Sequence, residues 1–314
     1  MVIPWLPRLR GGRGRDGPVA PLVVTLGAAI LVFILDDFTL SVVSLWVIYG
    51  LLALSLDLVW GRVGIVSFGQ TAFFGVAGYT YGVIAINLSG ASGESTTALV
   101  GAVLAGALLA ALLGYFMFYG RVGDVYLGII TLAVTLVLLA FSGSTAGAQY
   151  AIGAAQLGGY NGMAGIPPLT LGLPWLFAVP LGIRETYAFV VLVAGAVYIL
   201  LAALLRAPLG RILTAVREND VRTELLGYDT RRYKLLAFTI GGAIAGLAGA
   251  TYAASNLFIS PAVFSLSQGV LVVIWVLVGG RSTLAGAFLP ASSRGCRPGS
   301  VVARRKRPCS LACC

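Results

Sequence analysis

The sequence predicts an all-α fold, a polytopic membrane helical bundle of about eight transmembrane helices with a glycine-rich broken or re-entrant segment and a cytoplasmic helix between two spans. Three observations predict it. Hydrophobic residues make up 59% of the 314 residues and charged residues 10%, with a mean hydropathy of +0.96; soluble domains carry roughly a quarter of their residues charged. The apolar residues fall into runs close to the ~20 that a bilayer crossing requires. Glycine occurs 42 times, and small residues let membrane helices approach closely.

Residues 1–18 form a basic terminus containing Arg8, Arg10, Arg13 and Arg15. Pro18 and Pro21 then open the first apolar run. No small-residue cleavage site follows a short apolar core, so that run reads as a retained span rather than a secretory signal. Residues 19–289 form the transmembrane domain. Its spans are expected at 19–35, 40–60, 71–88, 98–119, 125–141, 187–205, 235–255 and 266–278.

Lys and Arg concentrate on cytoplasmic loops. With the N-terminal arginines inside, strict alternation puts Arg62, Arg121, the loop 206–234 and Arg281 inside. Asp36, Asp37, Glu94 and the loop 142–186 fall outside. Arg184, beside Glu185, is the exception. One missed span would invert every later loop, so the agreement independently supports the span count.

The loop 206–234 carries Arg206, Arg211, Arg217, Arg222, Arg231, Arg232 and Lys234 among Glu218, Asp220, Glu224 and Asp229. Within it Ile212, Ala215, Val216, Leu225 and Leu226 are expected to line one side of a short amphipathic helix, a surface offered to a soluble partner. The net charge of +10 lies largely at the two ends and in this loop. It fits segments beside an anionic leaflet of membrane lipid, not nucleic acid.

The stretch Gly61-Arg62-Val63-Gly64-Ile65-Val66-Ser67-Phe68-Gly69-Gln70 supports two readings. Glycines at this spacing let a chain unwind at membrane depth, where non-helical backbone is tolerated only inside protein or beside a wet cavity; such breaks mark substrate paths. The same residues also fit an ordinary tight turn. Asp57, one turn earlier, is a functional candidate as an ionisable residue in a span. Its place near the cytoplasmic end favours a structural role, reaching water or Arg62. The outer loop holds Gly158-Gly159-Tyr160-Asn161-Gly162, then Pro167 and Pro168, and reads either as an ordered docking face or as a disordered connector. Gly242, Gly246 and Gly249 on the span 235–255 read as a packing face.

The chain contains no histidine, and all four cysteines (Cys296, Cys309, Cys313, Cys314) lie near its end. Imidazole chemistry and a thiolate metal site in the membrane body are excluded. Catalytic residues and metal ligands are expected to number none. Neither lysine, Lys234 nor Lys306, sits in a phosphate-binding GxxxxGK[ST] loop, so ATP drives this chain only through another subunit. An autonomous secondary transporter or channel is the rival reading; it requires ionisable residues within spans, and Asp57 is the one clear candidate.

These residues carry a resemblance. The blocks ALSLDLVWGRVGIVSFGQTAFFGVAGY (53–79), GDVYLGIITLAVT (123–135) with the later GGYNG, PLGRILTAVRENDVRTELLGYDTRRYKLLAFTIGGAIAGLAGATYA (208–253) and VIWVLVGGRSTLAGA (273–287) are similar to permease subunits of bacterial ABC importers for branched-chain amino acids and urea. The likeness covers roughly residues 20–289. GGYNG and VIWVLVGGRSTLAGA stand slightly nearer the urea branch. The resemblance implies a multi-pass subunit of the bacterial inner membrane with a cytoplasmic N-terminus. Its implied partners are a second permease, cytoplasmic ATPase subunits holding ATP and Mg, and a periplasmic or lipoprotein substrate-binding protein. It implies that Arg217, Glu218, Asn219, Asp220, Leu225, Gly227 and Tyr228 couple to the ATPase. Ser67, Phe68, Gly69, Gln70 and Thr131 become path candidates. Tyr160, Asn161 and Gly162 become candidates for docking the binding protein.

The tail 290–314 breaks the pattern. It has no helical or strand period, holds every cysteine and gathers Arg294, Arg297, Arg304, Arg305, Lys306 and Arg307. It reads as a reading frame shifted near Leu289 that replaces a further apolar span. The other reading is a basic lipid-binding tail with palmitoylated Cys313 and Cys314.

Overall fold

In the computed structural model, residues 35–89, 95–147, 149–173 and 177–280 are described. Apart from Leu35, the expected span 19–35 lies outside them, as does the whole tail 290–314.

Helix α1 (Asp37–Leu56) runs on into a π-helical turn, Asp57–Val63. Then come α2 (Gln70–Ser89), α3 (Thr96–Tyr119), α4 (Asp124–Ser144) and α5 (Ile183–Arg206). Two short helices follow, α6 (Pro208–Glu218) and α7 (Asp220–Leu225), before α8 (Thr230–Asn256) and α9 (Leu266–Gly279). Among the described residues, six helices are long and apolar enough to cross a bilayer: α1 with its π turn, α2 to α5, and α8. The chain is a multi-pass membrane protein built as a helical bundle. Helix α9 has 14 residues. At 1.5 Å per residue it rises about 21 Å, short of the ~30 Å hydrocarbon core.

Helix α8 sits at the centre, against α2 and α3. Lipid gives apolar helices no hydrophobic reason to associate, so close backbone contact must hold them together. Ala98, Ala102, Gly106 and Ala110 form a buried row along α3 at four-residue spacing. They meet Gly242 and Gly246 of α8: a Cβ on Gly106 would stand 2.9 Å from the Gly246 Cα. On another side of α8, a Cβ on Gly249 would stand 1.9 Å from the Phe74 carbonyl oxygen of α2. The three α8 glycines are therefore packing positions. Away from this row, Leu104, Leu108, Leu112 and Phe116 of α3 are exposed, the surface a lipid-facing stripe requires. Trp275 holds α9 to α1 through Tyr49, with ring centroids 5.3 Å apart.

The outer loop is ordered in its described parts by three two-stranded pairings. β1 (Ala151–Ile152) pairs with β2 (Ala155–Gln156), and β4 (Thr170–Leu173) with β5 (Phe177–Pro180). β3 (Met163–Ala164) reaches across the chain to β6 (Phe258–Ile259). The disordered-connector reading is thereby set aside.

The link between α8 and α9 was expected only as a gap between spans. It is a second break. Leu257 takes a left-handed φ of 54°, and a 3₁₀ turn, Pro261–Phe264, follows β6. Ile259 and Phe264 are buried against Gly78 and Gly75 of α2, so this non-helical stretch packs into the bundle.

Candidate functional site

The first break begins where α1 loosens. The π turn ends at Gly64, whose φ of 95° suits glycine because a Cβ in that conformation crowds the backbone. The chain then doubles back. Ser55 Oγ bonds to Gln70 Oε1 at 3.2 Å, so α2 starts level with Ser55, two turns short of the end of the π turn. Residues 64–69 thus carry non-helical backbone inside the bundle. Val63, Ile65, Ser67 and Gln70 are all buried. The ordinary exposed turn is excluded, and the requirement that such backbone lie within protein is met.

Helix α4 supplies the missing hydrogen bonds. The Phe68 N–H donates to Thr131 Oγ1 at 3.2 Å, and Thr135 Oγ1 donates to the Phe68 carbonyl at 3.4 Å. The Gly69 N–H donates to Ser67 Oγ at 3.1 Å. A Cβ on Gly69 would stand 3.2 Å from the Thr131 Cβ, so the two chains touch. The structure therefore brings Ser67, Phe68, Gly69, Gln70 and Thr131 together at one place. Gln70 Nε2 is buried with no hydrogen-bond partner among the described residues. Asp57, on the π turn, is 1% exposed; of the two expected routes, water or Arg62, the bundle closes off water.

The charged loop 206–234 lies at the same end of the bundle. Pro208 opens α6 at a first-turn position that needs no N–H. Leu213 and Val216 of α6 are buried toward the bundle. At Asn219 the backbone turns extended, with φ −163° and ψ 106°, and its side chain accepts from the Arg222 N–H at 2.9 Å. That N-cap starts α7. Gly227, with φ 88°, closes α7: its N–H donates to Glu224 O and the Tyr228 N–H to Thr223 O, a Schellman arrangement.

This geometry corrects the single amphipathic helix expected from the sequence. Asn219 splits it, so Val216 faces the bundle while Leu225 and Leu226 face away, 83% and 75% exposed. Val221, one turn before Leu225 and 66% exposed, belongs to the same surface. Its i, i+4 spacing from Leu225 was the signal for it in the sequence. Of the seven coupling candidates, Asn219 and Gly227 shape α7, and Asp220 pairs with Lys234 of α8. Thr230 donates to Glu224 at 2.8 Å, a second tie to α8. Glu218 is exposed at the end of α6. The Tyr228 ring meets Tyr233, and Leu225 is the apolar projection.

Arg217 joins the two regions. Its guanidinium donates to the Gly61 carbonyl in the π turn, and its Cγ would stand 3.2 Å from a Cβ on Gly64. At the opposite end, Tyr160 and Asn161 are exposed. Gly162 is buried beneath β6, where a Cβ would stand 2.5 Å from the Ile259 carbonyl oxygen. Gly162 is therefore a packing position rather than a docking contact. Among the described residues, no cluster of His, Cys, Asp and Glu has the makings of a metal site.

The family described as branched-chain amino acid transport system / permease component matches residues 38–292. The chain is 32% identical to the high-affinity branched-chain amino acid transport system permease protein LivM of Escherichia coli K12, covering 82% of this chain and 62% of that protein. The LivM protein of Salmonella typhimurium LT2 gives 31% with the same coverage. A protein of Methanocaldococcus jannaschii described as a probable branched-chain amino acid transport permease protein LivM gives 26%, covering 80% of this chain and 77% of that one. The chain thus spans less than two thirds of the length of the first two relatives. Each of the three descriptions names branched-chain amino acids, and none names urea. No solved structure matches.

Proposed function

This chain belongs to the family of permease components of branched-chain amino acid transport systems, and on that premise we propose that it forms part of an ATP-driven import path for branched-chain amino acids. The observation that carries the reading is the Arg217 link. A short charged helix, α7, with Val221, Leu225 and Leu226 exposed on its surface, stands at one end of a chain of contacts whose other end is a buried break in α1–α2. A partner that moves α7 acts on α6, then through Arg217 on the π turn at Gly61. The break has non-helical backbone and a Gln70 Nε2 with no hydrogen-bond partner among the described residues. Such a segment changes arrangement at less cost than an intact helix.

On this reading the end bearing α6 and α7 faces the cytoplasm, with the N-terminus on the same side, and ATPase subunits holding ATP and Mg dock on Val221, Leu225 and Leu226. A second permease subunit completes the path. A substrate-binding protein meets the opposite end, near Tyr160 and Asn161. Helix bundles respond to such docking by shifting between two packed states rather than by bending continuously.

The test is reconstitution. Vesicles holding this chain with its second permease, ATPase subunits and binding protein accumulate labelled leucine when ATP is inside. Vesicles holding this chain alone neither hydrolyse ATP nor concentrate leucine. Uphill uptake by the chain alone would replace the importer reading with a secondary transporter.

A further inference from the structure

Phe68 is the one aromatic side chain on the non-helical stretch 64–69. Its ring is wedged between two helices that both meet it with glycine. A Cβ on Gly128 of α4 would stand 4.0 Å from the ring's Cε2, and a Cβ on Gly269 of α9 would stand 3.9 Å from its Cδ1. Cε2 and Cδ1 are opposite corners of the ring, so its width spans the seam between α4 and α9. Both distances are ordinary contacts that leave room for a methyl group. The glycines that pack helix on helix differ: on Gly106 and on Gly249 the same added atom collides with backbone. Phe68 is therefore seated between smooth walls and not interlocked with them.

The ring also differs from the aromatic residues of the core. Phe73 and Phe74 of α2 are 0% and 2% exposed, whereas Phe68 is half-buried. Its backbone belongs to no helix. The hydroxyls of Thr71, Thr131 and Thr135 hold it, and such bonds exchange without unwinding a helix. Ser67 and these three threonines are all buried beside the ring, an arrangement that apolar packing does not require. An apolar ring set across a seam rich in hydroxyls is a hydrophobic constriction, and constrictions of that kind close a pathway by excluding water.

We propose that Phe68 is a gate: its ring closes the seam between α4 and α9, and its withdrawal opens that seam to a small polar solute. The stretch 64–69 continues directly from the π turn whose Gly61 carbonyl Arg217 holds. Motion of α6 thus reaches the ring along the chain. The proposal rests on the reading that a transport path passes the break, but a leak through an opened seam needs no ATP.

Vesicles holding the assembled transporter, loaded with labelled leucine and lacking ATP, test it. Wild type should retain the label. Phe68→Ala should release it about tenfold faster or more, and Phe68→Leu should release it by a smaller factor. Gly128→Cys with Gly269→Cys sets one thiol on each wall, where a Cβ makes only ordinary contacts; the four tail cysteines are replaced by serine in the same chain. A reducible linker joining the two thiols should stop the F68A leak, and a reductant should restore it. Thermal transitions report whether each variant is folded, and F68L carries the comparison if F68A is not. A Phe68 variant that is folded and as tight as wild type overturns the gate. So does a leak that the linker leaves unchanged, because the label then passes elsewhere. ATP-driven uptake by wild type beside a tight F68A removes the gate and leaves the import reading intact. A linker-sensitive leak without ATP-driven uptake in wild type does the reverse.

Discussion

At Gly64 and at Gly227 the backbone takes the same left-handed turn, with φ of 95° and 88°. Around Gly64 the chain is packed: a Cβ there would stand 3.2 Å from Arg217 Cγ. Around Gly227 the same added atom meets nothing within 4 Å. The first glycine ends a helix inside the bundle and the second ends a helix displayed on the surface. A buried break must satisfy its backbone from neighbouring helices, as Thr131 and Thr135 do for Phe68. A displayed helix satisfies its own ends, through Asn219 and the Schellman turn, and leaves its apolar side chains uncovered. Damage at the first therefore shows in stability, and damage at the second shows in function.

Substitutions graded by their effect on folding sharpen that contrast. The largest effect is expected where backbone meets backbone. Gly249→Leu sets a side chain against the Phe74 carbonyl, which has no rotamer to give way, and costs roughly 3 kcal/mol or more; the protein should fail to give a monodisperse peak in detergent. Within the break, Thr131→Val leaves the part-buried Phe68 N–H unpaired and costs about 1–3 kcal/mol. Thr131→Ser keeps the acceptor and should restore most of the thermal transition temperature. If valine is as stable as threonine, the hydrogen bond across the break is not what holds it. Gly64→Ala meets left-handed strain of about 1–2 kcal/mol, read from the same melting curves. In the displayed helix, Leu225→Glu changes stability by no more than about 0.5 kcal/mol, as surface substitutions do. Yet it should abolish substrate-stimulated ATP hydrolysis in the assembled transporter. A melting shift as large as that of Thr131→Val would show α7 to be part of the core instead.

Much of this was legible in the sequence, for physical reasons that differ by region. Span positions follow from hydropathy because lipid contact demands apolar side chains almost regardless of what packs behind them. The row of α8 glycines announced its packing role for the same reason that it packs, since small residues are the means of close approach. The break was legible in place but not in kind. Gly61, Gly64 and Gly69 fit an exposed turn equally well, and only burial, set by α4 more than sixty residues away, decides between them. The splitting of α6 from α7 turned on Asn219, a residue that sits in helix interiors as well as at caps. The second break at Leu257–Ser265 has no glycine to announce it, and Pro261 alone reads as an ordinary loop residue. The bond from Arg217 to Gly61 joins positions 156 residues apart, and no local pattern records such a contact.

That bond is where the two regions meet, and the central claim is that motion passes through it. Arg217→Gln in the fully assembled, reconstituted transporter, assayed side by side for insertion, ATP hydrolysis and leucine uptake, tests it most directly. The account predicts normal insertion, retained basal hydrolysis and uptake reduced about tenfold or more, because α7 still docks while the π turn at Gly61 no longer follows. Uptake equal to wild type, with hydrolysis still stimulated by substrate, would contradict it.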